Sequence, residues 1–226
     1  MIKAIAFDID GTLYNSLSFS FCCLPFVLHN FRFMLSFRRV RKDLHLLAAE
    51  GKVAENFFRL QAELMAKNLK TDANKTEEFI NKEIYLGWRK LFAKIKPYKN
   101  AIKTVLTLKD AGYKVGLLSD FPPEQKGDVW GLAPACDAIL GSENFGVLKP
   151  HAKPFLQLAE KLKVAPEELL YVGNSYKYDV LGGKKAGVKT ALLCKWYEKP
   201  FFSKKTDIVF SSYTELQKKL KEFLNA

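Results

Sequence analysis

The chain of 226 residues is 48% hydrophobic and 27% charged, with a formal net charge of +12. That length and content exclude a chain too small to bury a core, and fit one substantial core or a core with a small second domain. The positive balance would attract anionic substrates and could equally favour nucleic acid or an anionic membrane surface. Much of the excess, however, lies in helical lysines such as Lys218, Lys219 and Lys221, which read as a solvated face.

Ile2, Ala4, Ile5, Ala6 and Phe7 form an apolar run that predicts a short buried strand. Asp8 and Asp10 follow two positions apart, and on an extended chain positions i and i+2 point to one side. Both carboxylates are therefore expected at the carboxyl end of a strand, where open α/β sheets hold their ligands. Two like charges so close are costly unless a cation or a proton is shared between them. Gly11 allows a sharp turn, and Thr12 adds a hydroxyl and a backbone N–H. The pattern points to a divalent metal with a nucleophile and acid pair; alone, it also fits a strand followed by an acidic turn.

From about Asn15 to Ile95, Pro and Gly are scarce and the pattern is helical. Phe57, Leu60, Leu64, and then Ile80, Ile84, Trp88, Leu91 and Ile95, recur at three- and four-residue spacings, which predicts packing faces. Leu17 to Leu28 is apolar and Phe-rich, and Arg32, Arg38, Arg39, Arg41 and Lys42 follow with no acid between Gly11 and Lys42. The apolar part is too short to span a bilayer and is interrupted by Pro25. It is expected to pack as a helix with a basic solvent face; an anionic membrane surface or an apolar substrate pocket is the competing reading.

Past Lys96-Pro97-Tyr98 helices and strands alternate. A helix over Lys99–Ala111 ends at Gly112 and precedes a strand at Lys114–Leu118. Strands are predicted at Ala138–Leu140, Leu169–Val172, Lys189–Leu193 and Ile208–Phe210, with helices at Pro154–Leu162, Asp179–Ala186 and Tyr213–Leu224. Such alternation implies a parallel sheet covered on both faces. Cys22, Cys23, Cys136 and Cys194 contain no C-x-x-C pair and read as free thiols in a reducing cytoplasm. No secretory signal is visible ahead of the N-terminal strand, and none is expected.

Four segments together resemble the haloacid dehalogenase-like hydrolase superfamily, most of whose members are magnesium-dependent phosphatases. Asp8-Ile9-Asp10-Gly11-Thr12 matches its opening motif, and Val115-Gly116-Leu117-Leu118-Ser119-Asp120 its second, a hydroxyl residue ending a strand. Leu148-Lys149-Pro150 matches the third, and Leu169 through Val172-Gly173-Asn174 to Asp179 the fourth, with Asn174 standing where many relatives have Asp. All four occur in family order. The resemblance implies an α/β fold: a Rossmann-like parallel sheet core, residues 1–14 and 97–226, with an inserted all-helical cap domain, residues 15–96.

It further implies a phosphate monoesterase. Asp8 is the expected nucleophile, forming an aspartyl-phosphate, and Asp10 the acid and base. Thr12, Ser119 and Lys149 hold phosphate oxygens, with Lys149 also favouring ionised Asp8. Asp8, Asp10, Asn174 and Asp179 are expected to ligate Mg²⁺, the Asp10 share coming from its backbone carbonyl. Asp120 receives no catalytic role. The expected partner is a small phosphorylated metabolite met by a monomer or homodimer, without nucleic acid and with membrane contact the lesser reading. A phosphomutase of the same superfamily is the main rival, and a basic binding module without turnover the rival from another class. Asp10 argues against a dehalogenase, no residue singles out a phosphonate-cleaving cap lysine, and neither G-x-G-x-x-G nor a P-loop G-K-[ST] occurs.

Overall fold

The computed structural model describes residues 1–225. Strand β1 (Ala4–Phe7) has no polar side chain and is buried along its whole length. Runs of this kind belong in the middle of a parallel sheet covered on both faces, and β1 lies there. After it come helices α1 (Ser16–His29), α2 (Phe31–Ala49), α3 (Phe57–Leu69) and α4 (Ala73–Phe79). A π-helical stretch, Ile80–Leu86, leads into α5 (Gly87–Phe92). The alternating half contains α6 (Ala101–Asp110), β2 (Lys114–Ser119), α7 (Pro123–Lys126), β3 (Ala138–Gly141), α8 (Lys153–Leu162) and β4 (Leu169–Gly173). It closes with α9 (Leu181–Lys185), β5 (Lys189–Leu193), α10 (Lys199–Phe202), β6 (Ile208–Phe210) and α11 (Tyr213–Asn225).

The six strands are parallel, in the order β3-β2-β1-β4-β5-β6. Ala4 pairs with Lys114 on one side and Leu169 on the other, so the order reverses around β1. That reversal opens a crevice at the carboxyl ends of β1, β2 and β4. Alternation along the strands supplies two cores. Ile5, Phe7, Val115 and Leu117 pack with Val105 of α6 and with Leu216 and Leu220 of α11. Ala4, Ala6 and Leu118 face Phe155, Leu158 and Leu162 of α8. The small side chains on this second face let α8 approach closely, and a Cβ on Gly116 would press on Leu158 and Leu162 at 3.0 Å.

The helical insert has its own apolar cluster. Phe57, Ile80, Ile84 and Trp88 of the predicted stripes are buried there with Phe37, Val40 and Leu44, and Val147 and Leu148 reach in from the sheet side. Ile95 instead joins the sheet core. Two local expectations change. Pro25 does not interrupt α1, which runs through it. The bond Pro25 cannot donate frees the carbonyl of Phe21, and both residues lie on the exposed face, where a free carbonyl costs little. The helix expected at Asp179 begins earlier, as a π-helical turn over Tyr176–Val180. The Asp179 carboxylate accepts the N–H groups of Asn174 (3.1 Å) and Ser175 (2.8 Å) and so draws this first turn back onto the strand end. Ser175, rather than Asn174, caps it through the Tyr178 N–H.

All four cysteines are unpaired. Among the described residues no helix is long and apolar enough to cross a membrane.

Candidate active site

The carboxyl ends of β1, β2 and β4 gather Asp8, Asp10, Thr12, Ser119, Lys149, Asn174 and Asp179 into one crevice. The Asp8 N–H continues the sheet ladder to the Val172 carbonyl at 2.8 Å, which fixes its backbone against β4. Its side chain is buried and held at both oxygens. Lys149 Nζ donates to Oδ1 at 2.7 Å, and the Thr12 hydroxyl donates to Oδ2 at 2.7 Å. The same hydroxyl lies 3.2 Å from the Asn174 amide oxygen. The turn that brings Thr12 back depends on Gly11, whose φ of +83° suits glycine. A Cβ at Gly11 would also collide with the Asn174 amide.

Lys149 is the hub of the buried charges. Besides Asp8 it donates to Asp179 Oδ1 at 2.7 Å and approaches the Tyr171 hydroxyl at 3.3 Å. Its backbone is fixed from two sides: its N–H donates to Asp120 Oδ1 at 3.0 Å, and the His45 Nδ1–H reaches its carbonyl at 2.7 Å. Asp120 and His45, the latter from α2, therefore position the lysine. Burial outweighs Lys149 at Asp8, whose carboxyl is pushed up to about 7, with Asp179 and Asp10 adding to the rise. Lys149 pulls the Asp8 carboxyl down, in the direction the sequence reading gives it, but burial outweighs that pull.

Asp10 is organised separately. Lys126 Nζ lies 2.6 Å and the Tyr14 hydroxyl 2.7 Å from its Oδ1, and the Ser119 hydroxyl donates to Oδ2 at 2.7 Å. Ser119 also accepts the Phe121 N–H at 3.1 Å. Its hydroxyl thus faces a carboxylate in this state, where sequence reasoning gives it a phosphate oxygen. Burial pushes the Asp10 carboxyl up, but Lys126, followed by the Tyr14 and Ser119 hydrogen bonds, brings it below its ordinary value. Lys126 is itself buried, between Asp10 and the rings of Phe92 and Phe121 at 5.0 and 5.2 Å. Sequence reasoning missed Lys126, Tyr14 and His45. Only the Pro122-Pro123 pair, which opens a short helix right after β2, hints that Lys126 returns to the site.

Replacing Lys126 by Gln removes the contacting cation that holds the Asp10 carboxyl down, and should raise the Asp10 pKa. A ¹³C NMR titration of the Asp10 carboxyl in metal-free protein reads this directly, and an unchanged midpoint would remove Lys126 from that role.

A family model for haloacid dehalogenase-like hydrolases matches residues 2–187. A Clostridium perfringens protein named as a candidate pyrophosphatase, PpaX, is 32% identical over 194 residues, covering 84% of this chain and 83% of that one. A glyceraldehyde 3-phosphate phosphatase of Methanocaldococcus jannaschii is 27% identical over 222 residues, covering 95% and 92%. A solved phosphatase of this family from Thermococcus onnurineus superposes with a TM-score of 0.63 at 22% identity, over 97% of this chain and 98% of that one. At that identity the superposition speaks for the fold alone. The crevice at the sheet's reversal, lined by buried carboxylates around a lysine, is that of an α/β hydrolytic enzyme. This chain belongs to the haloacid dehalogenase-like hydrolases.

Proposed function

We propose that the chain is a Mg²⁺-dependent phosphatase that hydrolyses a small-molecule phosphate ester through an aspartyl-phosphate on Asp8. The observation that carries this reading is the setting of Asp8: one oxygen on Lys149, the other on Thr12, and a second carboxylate, Asp10, separately held beside it. The pyrophosphatase and glyceraldehyde 3-phosphate phosphatase names of the relatives support phosphoryl chemistry on small substrates. In this reading residues 1–14 and 97–226 form the catalytic unit. Residues 15–96 act as a cap that excludes water and selects the leaving group.

Unaided phosphate monoester hydrolysis is so slow that on the order of 20 kcal/mol of transition-state stabilisation is required. The carboxylate of Asp8 attacks phosphorus in line with the leaving oxygen; the P–O bond to the leaving group breaks as the Asp8 Oδ–P bond forms. Asp10, whose carboxyl Lys126 holds below its ordinary value in the free protein, has to take up a proton as the anionic substrate draws Ser119 away; it then gives that proton to the leaving oxygen and later takes one from the water that hydrolyses the acyl phosphate. Lys149 and Thr12 bind the transferring oxygens, and Ser119 joins them by turning its hydroxyl from Asp10.

The donors fit Mg²⁺ in kind, being oxygen only: the carboxylates of Asp8 and Asp179, the amide oxygen of Asn174 and the backbone carbonyl of Asp10. The Thr12 hydroxyl lies 2.7 Å from Asp8 Oδ2 and 3.2 Å from Asn174 Oδ1, so those two oxygens stand on the same part of the crevice. Among the described residues no three His, Cys, Asp or Glu side chains group as a metal site, so the amide and the carbonyl would have to complete the set. When bound, the ion neutralises charge between the nucleophile and the phosphoryl oxygens. The test is phosphate release from a panel of esters. EDTA should silence it and Mg²⁺ restore it, whereas turnover without any divalent ion would refute the metal assignment. Isomerised product without released phosphate would favour a mutase.

A further inference from the structure

Helix α1 presents an apolar face to solvent. Leu17, Phe21, Leu24 and Leu28, spaced four, three and four apart, are 63%, 73%, 47% and 69% exposed. The line continues onto the start of α2 with Phe31 and Leu35, at 60% and 59%. The opposite side of α1 is already apolar, with Cys23 buried and Phe19 and Phe26 packed against the insert's cluster. Helix α1 carries no Asp, Glu, Lys or Arg. Apart from Ser16, Ser18, Ser20 and His29, α1 is apolar on its exposed side as well as its buried one, and a helix so apolar normally has cover on both, where α1 has it on one side only. Beside Leu35 the stripe borders a cleft of about 390 Å³ floored by Phe37, Trp88 and Phe121, with Arg38 among its walls.

The charges around this face indicate the cover. Arg32, Arg38, Arg39 and Lys42 are exposed on α2. Arg38 and Lys42 continue the Phe31–Leu35 line at helical spacing, and no acidic residue lies between Asp10 and Asp43. A second copy of the same face would oppose these cations to one another. An anionic bilayer surface matches both parts, taking the apolar row into its interface and the basic row onto its headgroups. With 14 residues, α1 is too short to cross a bilayer, so it would lie in the interface plane.

We propose that α1 and the first half of α2 form a docking surface for anionic lipid bilayers. This surface is independent of the hydrolytic chemistry. Co-sedimentation of the full chain with phosphatidylglycerol/phosphatidylcholine vesicles and with pure phosphatidylcholine vesicles tests it. Binding is expected to the anionic vesicles and to weaken with salt. Each basic side chain near such a surface contributes about fivefold in affinity. The triple variant Arg38→Gln/Arg39→Gln/Lys42→Gln should therefore bind about a hundredfold more weakly. Phe21→Ser/Leu24→Ser/Leu28→Ser, which alters exposed positions only, should abolish sedimentation while keeping the parent circular dichroism. Absence of binding to anionic vesicles, or equal binding by parent and both variants, overturns the proposal. So does a dimer in analytical ultracentrifugation that the serine variant converts to monomer, since a second copy would then be the cover.

Discussion

Asp8→Asn is expected to abolish phosphate release, lowering kcat by roughly 10⁴-fold or more, because an amide cannot form the acyl phosphate and losing a nucleophile costs that much. The fold should survive. In metal-free protein burial pushes the Asp8 carboxyl up to about 7 despite Lys149. A group whose folded pKa is raised adds stability below its unfolded pKa, near 3.8, and loses that contribution as pH rises through about 7. Asn is neutral at every pH. The variant should therefore equal or exceed the parent in Tm at pH 8 without metal, and the difference should narrow towards pH 5. Residual turnover within tenfold of the parent, with mass spectrometry detecting no contaminating parent enzyme, would remove Asp8 from the nucleophile's role.

The sheet was legible because its central strands are buried on both faces and appear as short, mostly apolar runs separated by helical periods. Ala4–Phe7, Lys114–Ser119 and Lys189–Leu193 fall within a residue or two of their predicted bounds. Asp8 and Thr12 could be placed together because a strand and a glycine turn fix their relation locally. Lys149 was legible only through the resemblance, since nothing near it in sequence announces that its Nζ lies between Asp8 and Asp179. Lys126 had no signal beyond the Pro122-Pro123 pair, being one lysine among many whose burial depends on how α7 turns back over Phe92 and Phe121. The Phe-rich segment was legible only in part: it is helical and the basic residues after it, Arg41 apart, face solvent, as expected, but its apolar residues do not all pack. Periodicity assigns a buried side by contrast with a polar one, and α1 offers no charged side chain for contrast. Phe19 and Phe26 pack while Phe21 and Phe31 face solvent, and that split appears only in three dimensions.

Arg41→Met is expected to destabilise the protein by about 3–5 kcal/mol, the cost of stranding a buried charge. Arg41, on α2, pairs with Glu143, which follows β3; the Glu143 side chain is fully buried and that of Arg41 is 10% exposed. The Tyr85 hydroxyl donates to the second Glu143 oxygen at 2.6 Å and accepts from Gln61 Nε2 at 2.9 Å, and Gln61 Oε1 lies 3.4 Å from Arg41, closing a ring of four side chains. Three of its members come from the helical insert and one from the sheet, so the ring fastens one to the other. The guanidinium also lies 4.4 Å above the Phe121 ring. Burial pushes the Glu143 carboxyl up, and the counter-pull of Arg41 and then of Tyr85 does not fully offset it. A buried pair of this kind offsets its desolvation only while both charges are present. The consequence is non-additivity. Glu143→Leu added to Arg41→Met removes the stranded charge, and the double variant should recover most of the loss in urea unfolding, with a coupling energy of about 2–3 kcal/mol. If Arg41→Met alone costs under 1 kcal/mol, water must reach Glu143, and the ring does not hold the insert to the sheet.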